Sequence, residues 1–355
     1  MTRRYRYGII GTGIPWKQEG ATGFGMANPH YRGFTATDRT TLVAIANTND
    51  DHARLFKSRH GLHCPVYHDY REMLSKERLD IVSICTWPHL HAEMTIAACE
   101  AGVRAIHCEK PMATTWGDAK RMRAVAESSG AILSFNHQRR FLAPFQSAKR
   151  LIESGSIGAI ERMEATCGDM SDWGTHWLDM MFYFNEETPA EWVLGQIDSR
   201  EEVRTFGVWT EQQAVSHFKF KNGVRAALYT GFEANIGGPA IRVTGSEGVL
   251  EILWESPWLR YKMAKDADWR IVNSDEGIHG EAAIDRACAD LVDCLERPGH
   301  APLLTVEHAI QHTEVIFATF ESSRRRGRID LPLTADDSAL IDLVQRGEIG
   351  PSRSS

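Results

Sequence analysis

The stretch RYGIIGTGIPWKQEGATGFGMANPHYRGF, residues 6–34, runs a short apolar strand into Gly11-Thr12-Gly13 and then departs from the pattern it begins. A strand that meets G-x-G-x-x-G and opens a helix is a dinucleotide-binding turn. The first glycine permits the tight turn, the second lets backbone approach a pyrophosphate, and the helix N-terminus faces the charge. The third glycine belongs at position 16, where this chain has Trp16. Pro15 and the polar, glycine-rich run after it cannot continue a regular helix, so about ten residues, 15 to 24, read as an insert. Gly23 or Gly25 then takes over the close-packing role, while Ile14, Pro15 and Trp16 stay beside the cofactor and Lys17 offers a charge to a phosphate or an anionic substrate. The same composition also fits a surface loop with no part in binding.

Beyond this turn, short apolar runs alternate with amphipathic stretches as far as Asn136: TLVAIAN, VYHD, LDIVSICT, RAIHCE and AILSFN, with helical patterns between them. Continuous apolar strands separated by helices specify a parallel sheet covered on both faces, a doubly wound α/β domain over residues 1–136. From about residue 156 the rhythm changes to longer, partly alternating strands, among them AIERMEATCG, EWVLGQID and VRTFGVWT. Lys221-Asn222-Gly223 and Ser246-Glu247-Gly248 are hairpin turn signals between them. Residues 137–355 are therefore expected to form an α+β domain with a large, mostly antiparallel open sheet, helices near 142–154 and 305–326, and a polar tail after about 334. The 305–326 helix is expected to pack near the domain junction.

The second strand ends in Asn47-Thr48-Asn49, where an acid would bind a ribose or a basic residue a 2'-phosphate. Neither is present before Asp50. The expected cofactor is NAD, held in part by Asn47 and Thr48, with NADP left open.

Composition narrows the partners. The chain has 355 residues, 43% hydrophobic and 25% charged, with a formal net charge of -7. The run Arg324-Arg325-Arg326 ends a helical pattern, where it complements the helix dipole, and no basic stripe for nucleic acid is seen. The 7 cysteines include no C-x-x-C pair and read as free thiols of a reducing compartment. The apolar run after MTRRYRY is too short for a signal peptide, and no stretch reaches the roughly 18 apolar residues of a membrane span. A cytoplasmic protein without membrane or nucleic-acid partners is expected. His60, His63 and His68 fall at loop and strand spacings with no acidic ligand set, so no metal site is assigned.

Two further segments, SICTWPHLHAEMTIAACEAGVRAIHCEKPMATT (83–115) and DWGTHWLDMM (172–181), carry the chemistry. With the closing ESSRRRGRIDLPL (321–333), they resemble in order and spacing the Gfo/Idh/MocA oxidoreductases, the family of glucose-fructose oxidoreductase and inositol dehydrogenase. The resemblance implies a Rossmann domain first. Its Glu109-Lys110-Pro111 places a lysine beside the nicotinamide, and its D-x-G-x-H-x-x-D supplies a catalytic acid/base and partner in Asp172, Gly174, His176 and Asp179. It also implies cofactor contacts from Thr86, Trp87, Pro88, His91, Glu109, Lys110 and Asn136, and substrate contacts from Lys110, Asn136, Arg139, Asp172, Trp173 and His176. The family's T-P-x-x-x-H appears here with its proline one place late, so Trp87 faces either the nicotinamide or the insert.

Residue chemistry points the same way. Oxidising a carbinol needs a group that takes the hydroxyl proton near working pH, and histidine, with a reference pKa of about 6.5, meets that need. His176 is assigned as the base, with Lys110 polarising the substrate oxygen. Asp172, His176 and Asp179 stand at i, i+4 and i+7, one face of a helix that begins near Asp172, and an N-cap is the other role open to Asp172.

The implied function is an NAD(P)-dependent oxidoreductase moving hydride between nicotinamide and a secondary hydroxyl or ketone of a sugar, polyol or sugar derivative. An alternative on the same frame is an NAD-dependent glycosidase that oxidises, eliminates, hydrates and re-reduces with retained NAD. The broad sheet face of the second domain suggests self-association, and the resemblance implies a homodimer or homotetramer.

Overall fold

The computed structural model describes residues 4–15, 18–19, 22–231, 238–297 and 299–351, which divide into two compact units. The first comprises Met1–Thr114, Asp118–Gln138 and Glu281–Glu307. In it β1 (Tyr5–Ile10), α1 (Ala27–Ala36), β2 (Thr40–Ala46), α2 (Asp50–His60), β3 (Val66–Tyr67) and α3 (Tyr70–Glu77) precede β4 (Ile81–Ile84). There follow α4 (Pro88–Glu100), β5 (Ala105–Cys108), α5 (Trp116–Ser129) and β6 (Ile132–Phe135). The strands pair in parallel in the order β3-β2-β1-β4-β5-β6, the doubly wound order with its switch point beside β1. Every residue of β4 and β5 is buried, as expected where helices cover both faces.

The second unit opens with a 3-10 turn at Gln138–Phe141, α6 (Ala143–Glu153), β7 (Ile160–Cys167), a π-helical turn at Met170–Gly174 and α7 (Thr175–Phe184). Next come β8 (Ala190–Asp198), β9 (Arg204–Thr205), β10 (Val208–Trp209), β11 (Gln213–Phe220), β12 (Arg225–Thr230), β13 (Ile241–Gly245), β14 (Gly248–Ile252), β15 (Leu259–Met263) and β16 (Arg270–Val272). After α8 (Ala282–Glu296), it closes with α9 (Val306–Arg325), β17 (Ile329–Asp330) and α10 (Ala339–Arg346). Nine strands form one sheet in the order β16-β15-β14-β13-β7-β12-β11-β8-β17. Its pairs are antiparallel except β7 with β12. Alternation along β11 buries Ser216, Phe218 and Phe220 on the helix face, where Phe182 of α7 stacks on Phe218 and Ser216 Oγ lies 2.7 Å from Thr319 Oγ1 of α9. Leu194, Val215 and Tyr229 stay exposed on the other face.

Three sequence expectations are corrected. The boundary near residue 136 falls close to the observed 138, but residues 281–307 belong to the first unit, because α8 packs on α1 there. Ile284, Cys288, Leu291 and Val292 of α8 join the core made by Tyr7, Phe34, Ile45 and Ile81. The tail after 334 contains α10, whose Ala339, Leu340 and Leu343 are buried. VRTFGVWT is not one long strand but the short hairpin of β9 and β10.

Close approach of α1 to α8 depends on Gly33, where a Cβ would lie 2.8 Å from Cys288 Sγ and 3.1 Å from Asp285 Cα. Gly33→Ala is expected to lower stability by about 1–3 kcal/mol through overpacking, measured by denaturant unfolding. An unchanged midpoint would show that α8 moves away freely.

Candidate active site

In the first unit the candidate residues gather at the carboxyl ends of β1, β2, β4, β5 and β6, where open α/β sheets bind ligands. Gly11 adopts φ +88, and a Cβ there would sit 2.7 Å from Thr86 Cγ2 and 3.0 Å from the carbonyl oxygen of Cys85. Only glycine suits both the conformation and the space. Thr12 N–H donates to Asn47 Oδ1 at 3.0 Å, so Asn47 holds the turn, while Thr48 is exposed. Thr12 Oγ1 is buried with no partner among the described residues. An unpaired buried hydroxyl and a glycine cradle fit the polar phosphate of a dinucleotide.

The insert closes on itself. Ile14 N–H donates to Thr22 Oγ1 at 2.8 Å and Thr22 N–H returns to Ile14 O at 3.0 Å. Pro15 bridges Gly23, and Gly25, at φ +67, would clash with Pro15 if it carried a Cβ. The close packing expected of Gly23 or Gly25 is thus spent within the loop, and helix α1 starts only at Ala27. Trp87 turns to this loop, its Nε1–H donating to Thr22 O at 3.0 Å. The calls on Trp16 and Lys17 lie outside the described residues.

Glu109 follows β5 and is 6% exposed. Its Oε1 accepts from His30 Nε2 at 2.8 Å and from Asn136 Nδ2 at 2.7 Å. Burial works to raise its pKa, but the His30 hydrogen bond and charge, the Lys110 ammonium and Asn136 outweigh it and bring it to about 2. Nδ1 of His30 meets Ser83 Oγ at 3.1 Å, and that hydroxyl accepts from Tyr7 O–H at 2.7 Å. His91, fully buried just after Pro88 in the first turn of α4, sets its ring between Pro111 O at 2.9 Å and Thr86 O at 3.1 Å. Glu109, Asn136 and His91, read from the resemblance as cofactor contacts, therefore position the backbone that carries Lys110.

In the second unit Asp172 and His176 are 5% and 6% exposed. The α-helix expected from Asp172 begins only at Thr175, and Asp172 lies in the π turn, closed by Gly174 N–H donating to Asp169 O at 2.8 Å. Asp169, not Asp172, is the N-cap: its Oδ1 accepts from Asp172 N–H at 2.5 Å. Glu211 Oε1 accepts Met170 N–H at 2.6 Å and Thr230 Oγ1 at 3.1 Å. Burial first, and the charge of Asp169 second, push Glu211 up to about 8. Asp179 does not join the site, since it accepts from Arg140 Nε and Nη2 at 2.8–3.1 Å in a fully buried ion pair. Trp173 lies on the π turn, its ring 6.3 Å from Trp254 and 5.6 Å from His279. Arg139 lies over the Trp177 ring, Cζ 4.1 Å from the centroid.

Residues 5–137 match the family described as the oxidoreductase family with NAD-binding Rossmann fold, and residues 167–251 match the GFO/IDH/MocA C-terminal domain. The chain belongs to the Gfo/Idh/MocA oxidoreductase family. It is 27% identical to myo-inositol 2-dehydrogenase of Thermotoga maritima over 68% of this chain and 73% of that protein. It is 27% identical to 1,5-anhydro-D-fructose reductase of Ensifer adhaerens over 59% of this chain and 67% of that protein. Levoglucosan dehydrogenase in complex with NADH superimposes with a TM-score of 0.79 at 21% identity, covering 94% of this chain and all of that one, a likeness of fold. The cofactor is NAD, and the first unit carries the NAD-binding Rossmann domain.

Sequence reading of this Gfo/Idh/MocA chain missed His30, Glu211 and the Arg140–Asp179 pair. No local signal marks His30, whose partner Glu109 is 79 residues away. Glu211 offers a test by pH. Because its folded pKa is raised, the folded chain keeps a proton that the unfolded chain releases, so this stability is present at low pH and lost as pH climbs through about 8. Relative to the native chain, Glu211→Gln should gain a few degrees in unfolding temperature between about pH 5 and 8.5. A difference that stays flat with pH would contradict the buried, protonated carboxyl.

Proposed function

We propose that the chain interconverts a secondary hydroxyl and ketone of a sugar, polyol or sugar derivative, with His176 as the base. The observation that carries this reading is the π turn. It holds Asp172 buried and leads directly into His176, buried in the first turn of α7, and it is braced by Asp169 and Glu211. Gly11–Gly13 would hold NAD, which when bound would supply the hydride acceptor. His176 takes the hydroxyl proton, and Asp172 steadies the charge that His176 gains. Lys110, carried on backbone fixed by Glu109 and His91, donates to the substrate oxygen and favours the developing alkoxide. Relatives named for inositol and for anhydrofructose support a polyhydroxylated substrate.

The clasped insert favours a second reading. A loop tied to the dinucleotide turn by Thr22 and Trp87 suits a cofactor that stays bound, as a redox-neutral glycosidase needs. Absorbance at 340 nm across a panel of polyols and aryl glycosides separates the two: net NADH formation supports the dehydrogenase, and aglycone release without NADH supports the glycosidase. In either case His176→Ala or Lys110→Ala should lower kcat by about 10²-fold or more. Near-native rates in both variants would remove these residues from the chemistry.

A further inference from the structure

Two arginines stand side by side at the start of the second unit, equally buried and oppositely treated. Arg140, 1% exposed, gives hydrogen bonds to Asp179 through Nε and Nη2 and to Glu187 through Nη1 at 2.6 Å. Its pKa is raised, the two carboxylates overcoming burial. Arg139, 3% exposed, makes no side-chain hydrogen bond or ion pair among the described residues, and its Nη1 is buried without a partner. Burial brings its pKa down to about 9, with only through-space attraction from Cys167, Asp172 and Asp179 opposing. A buried cation left in this state is costly unless a ligand supplies the missing acceptor.

The surroundings say what that acceptor is. The guanidinium lies over the face of Trp177 with Cζ 4.1 Å from the centroid, and a stacked guanidinium keeps its in-plane N–H fork for a planar partner. Trp177 meets Trp254 edge-on at 5.3 Å, and the Nε1–H of each is buried with no partner among the described residues. The unsatisfied groups of this cluster are thus all donors. From Trp254 the aromatic path continues to Trp173, on the same turn as Asp172, and to His279 at the surface. Burial, then the Arg139 charge, bring His279 down to about 4, so it is neutral and adds no competing cation.

We infer that Arg139 and the Trp177–Trp254 pair form a carboxylate subsite, and that the substrate is a sugar acid, a uronate or aldonate, whose pyranose or chain carbons lie along the half-buried rings of Trp254 and Trp173. The inference rests on the proposed sugar oxidoreductase and narrows its substrate. A carboxylate suits the site better than a phosphate because it is planar, matches the fork and brings one charge to a region that already holds Asp172.

The test is binding without cofactor, read by tryptophan fluorescence, with D-glucuronate, D-galacturonate and D-gluconate against D-glucose. The acids should bind saturably and at least about tenfold more tightly than D-glucose. Arg139→Gln should weaken the acids at least about tenfold and leave NADH binding unchanged, and Arg139→Lys, which keeps the charge but loses the fork, should fall between. Equal affinity for acids and D-glucose, no binding of any acid, or native acid affinity in Arg139→Gln would each overturn the subsite. Acid binding without NAD reduction by any substrate would instead sink the oxidoreductase reading, while NAD reduction by neutral polyols, undiminished in Arg139→Gln, would sink the subsite alone.

Discussion

A carboxylate keeps its charge inside a protein only where donors replace the water it has lost, and Glu109 imposes that condition at the reactive edge of the first sheet. Its donors come from separate elements: His30 from α1 and Asn136 from the end of β6. Satisfying Glu109 therefore fixes α1 and β6 against the end of β5. His91 adds α4 through the carbonyls of Thr86 and Pro111. Lys110 stands between these two anchors. Its backbone placement follows from the hydrogen bonds that satisfy Glu109 and His91 on either side of it.

The second unit meets the same demand with opposite solutions. Asp179 remains charged in a buried pair with Arg140, where losing one partner would typically cost about 3–5 kcal/mol. Glu211 has no cation hydrogen-bonded to it among the described residues, and burial and the Asp169 charge raise its pKa to about 8, while its Oε1 still accepts from Met170 and Thr230. His176 lies in the first turn of α7 and Asp172 on the π turn itself, both buried. Such a turn spends one extra residue per turn, so it shifts the side chains after Asp172 relative to a regular helix. The cost is met by the cap from Asp169 and by the bond from Glu211.

Much of this was legible from residue order. Apolar runs such as IVSI and AIHC announce buried parallel strands because both faces of the sheet are covered. The Glu109-Lys110-Pro111 and Asp172–His176 motifs were legible through their resemblance, in order and spacing, to those of the Gfo/Idh/MocA family. Long-range choices were hidden. The apolar stripe of α8 shows a helix, but nothing local says that it returns to the first sheet, a choice decided by Gly33 and Cys288. The spacing of Asp172, His176 and Asp179 is that of an α-helix, and the π turn that breaks it depends on Glu211, 41 residues beyond Met170. Charged residues masked the small apolar face of α10.

Two irregularities of the sequence turn out to be one structural event. The insert at 15–24 interrupts the glycine pattern, and Trp87 displaces the proline that normally follows the threonine, 65 residues after Thr22. Separately each looks like damage to a binding motif. Together they are complementary, since Trp87 Nε1–H donates to the carbonyl of Thr22, the same residue whose hydroxyl and amide close the insert on Ile14. The displaced proline still starts α4 and leaves His91 on the Thr86 carbonyl. The delayed helix α1 still delivers His30, in its first turn, to Glu109. The insert is therefore built into the dinucleotide turn: Trp87 ties it to the strand end that Gly11 packs against, and the anchors around Lys110 stay in place.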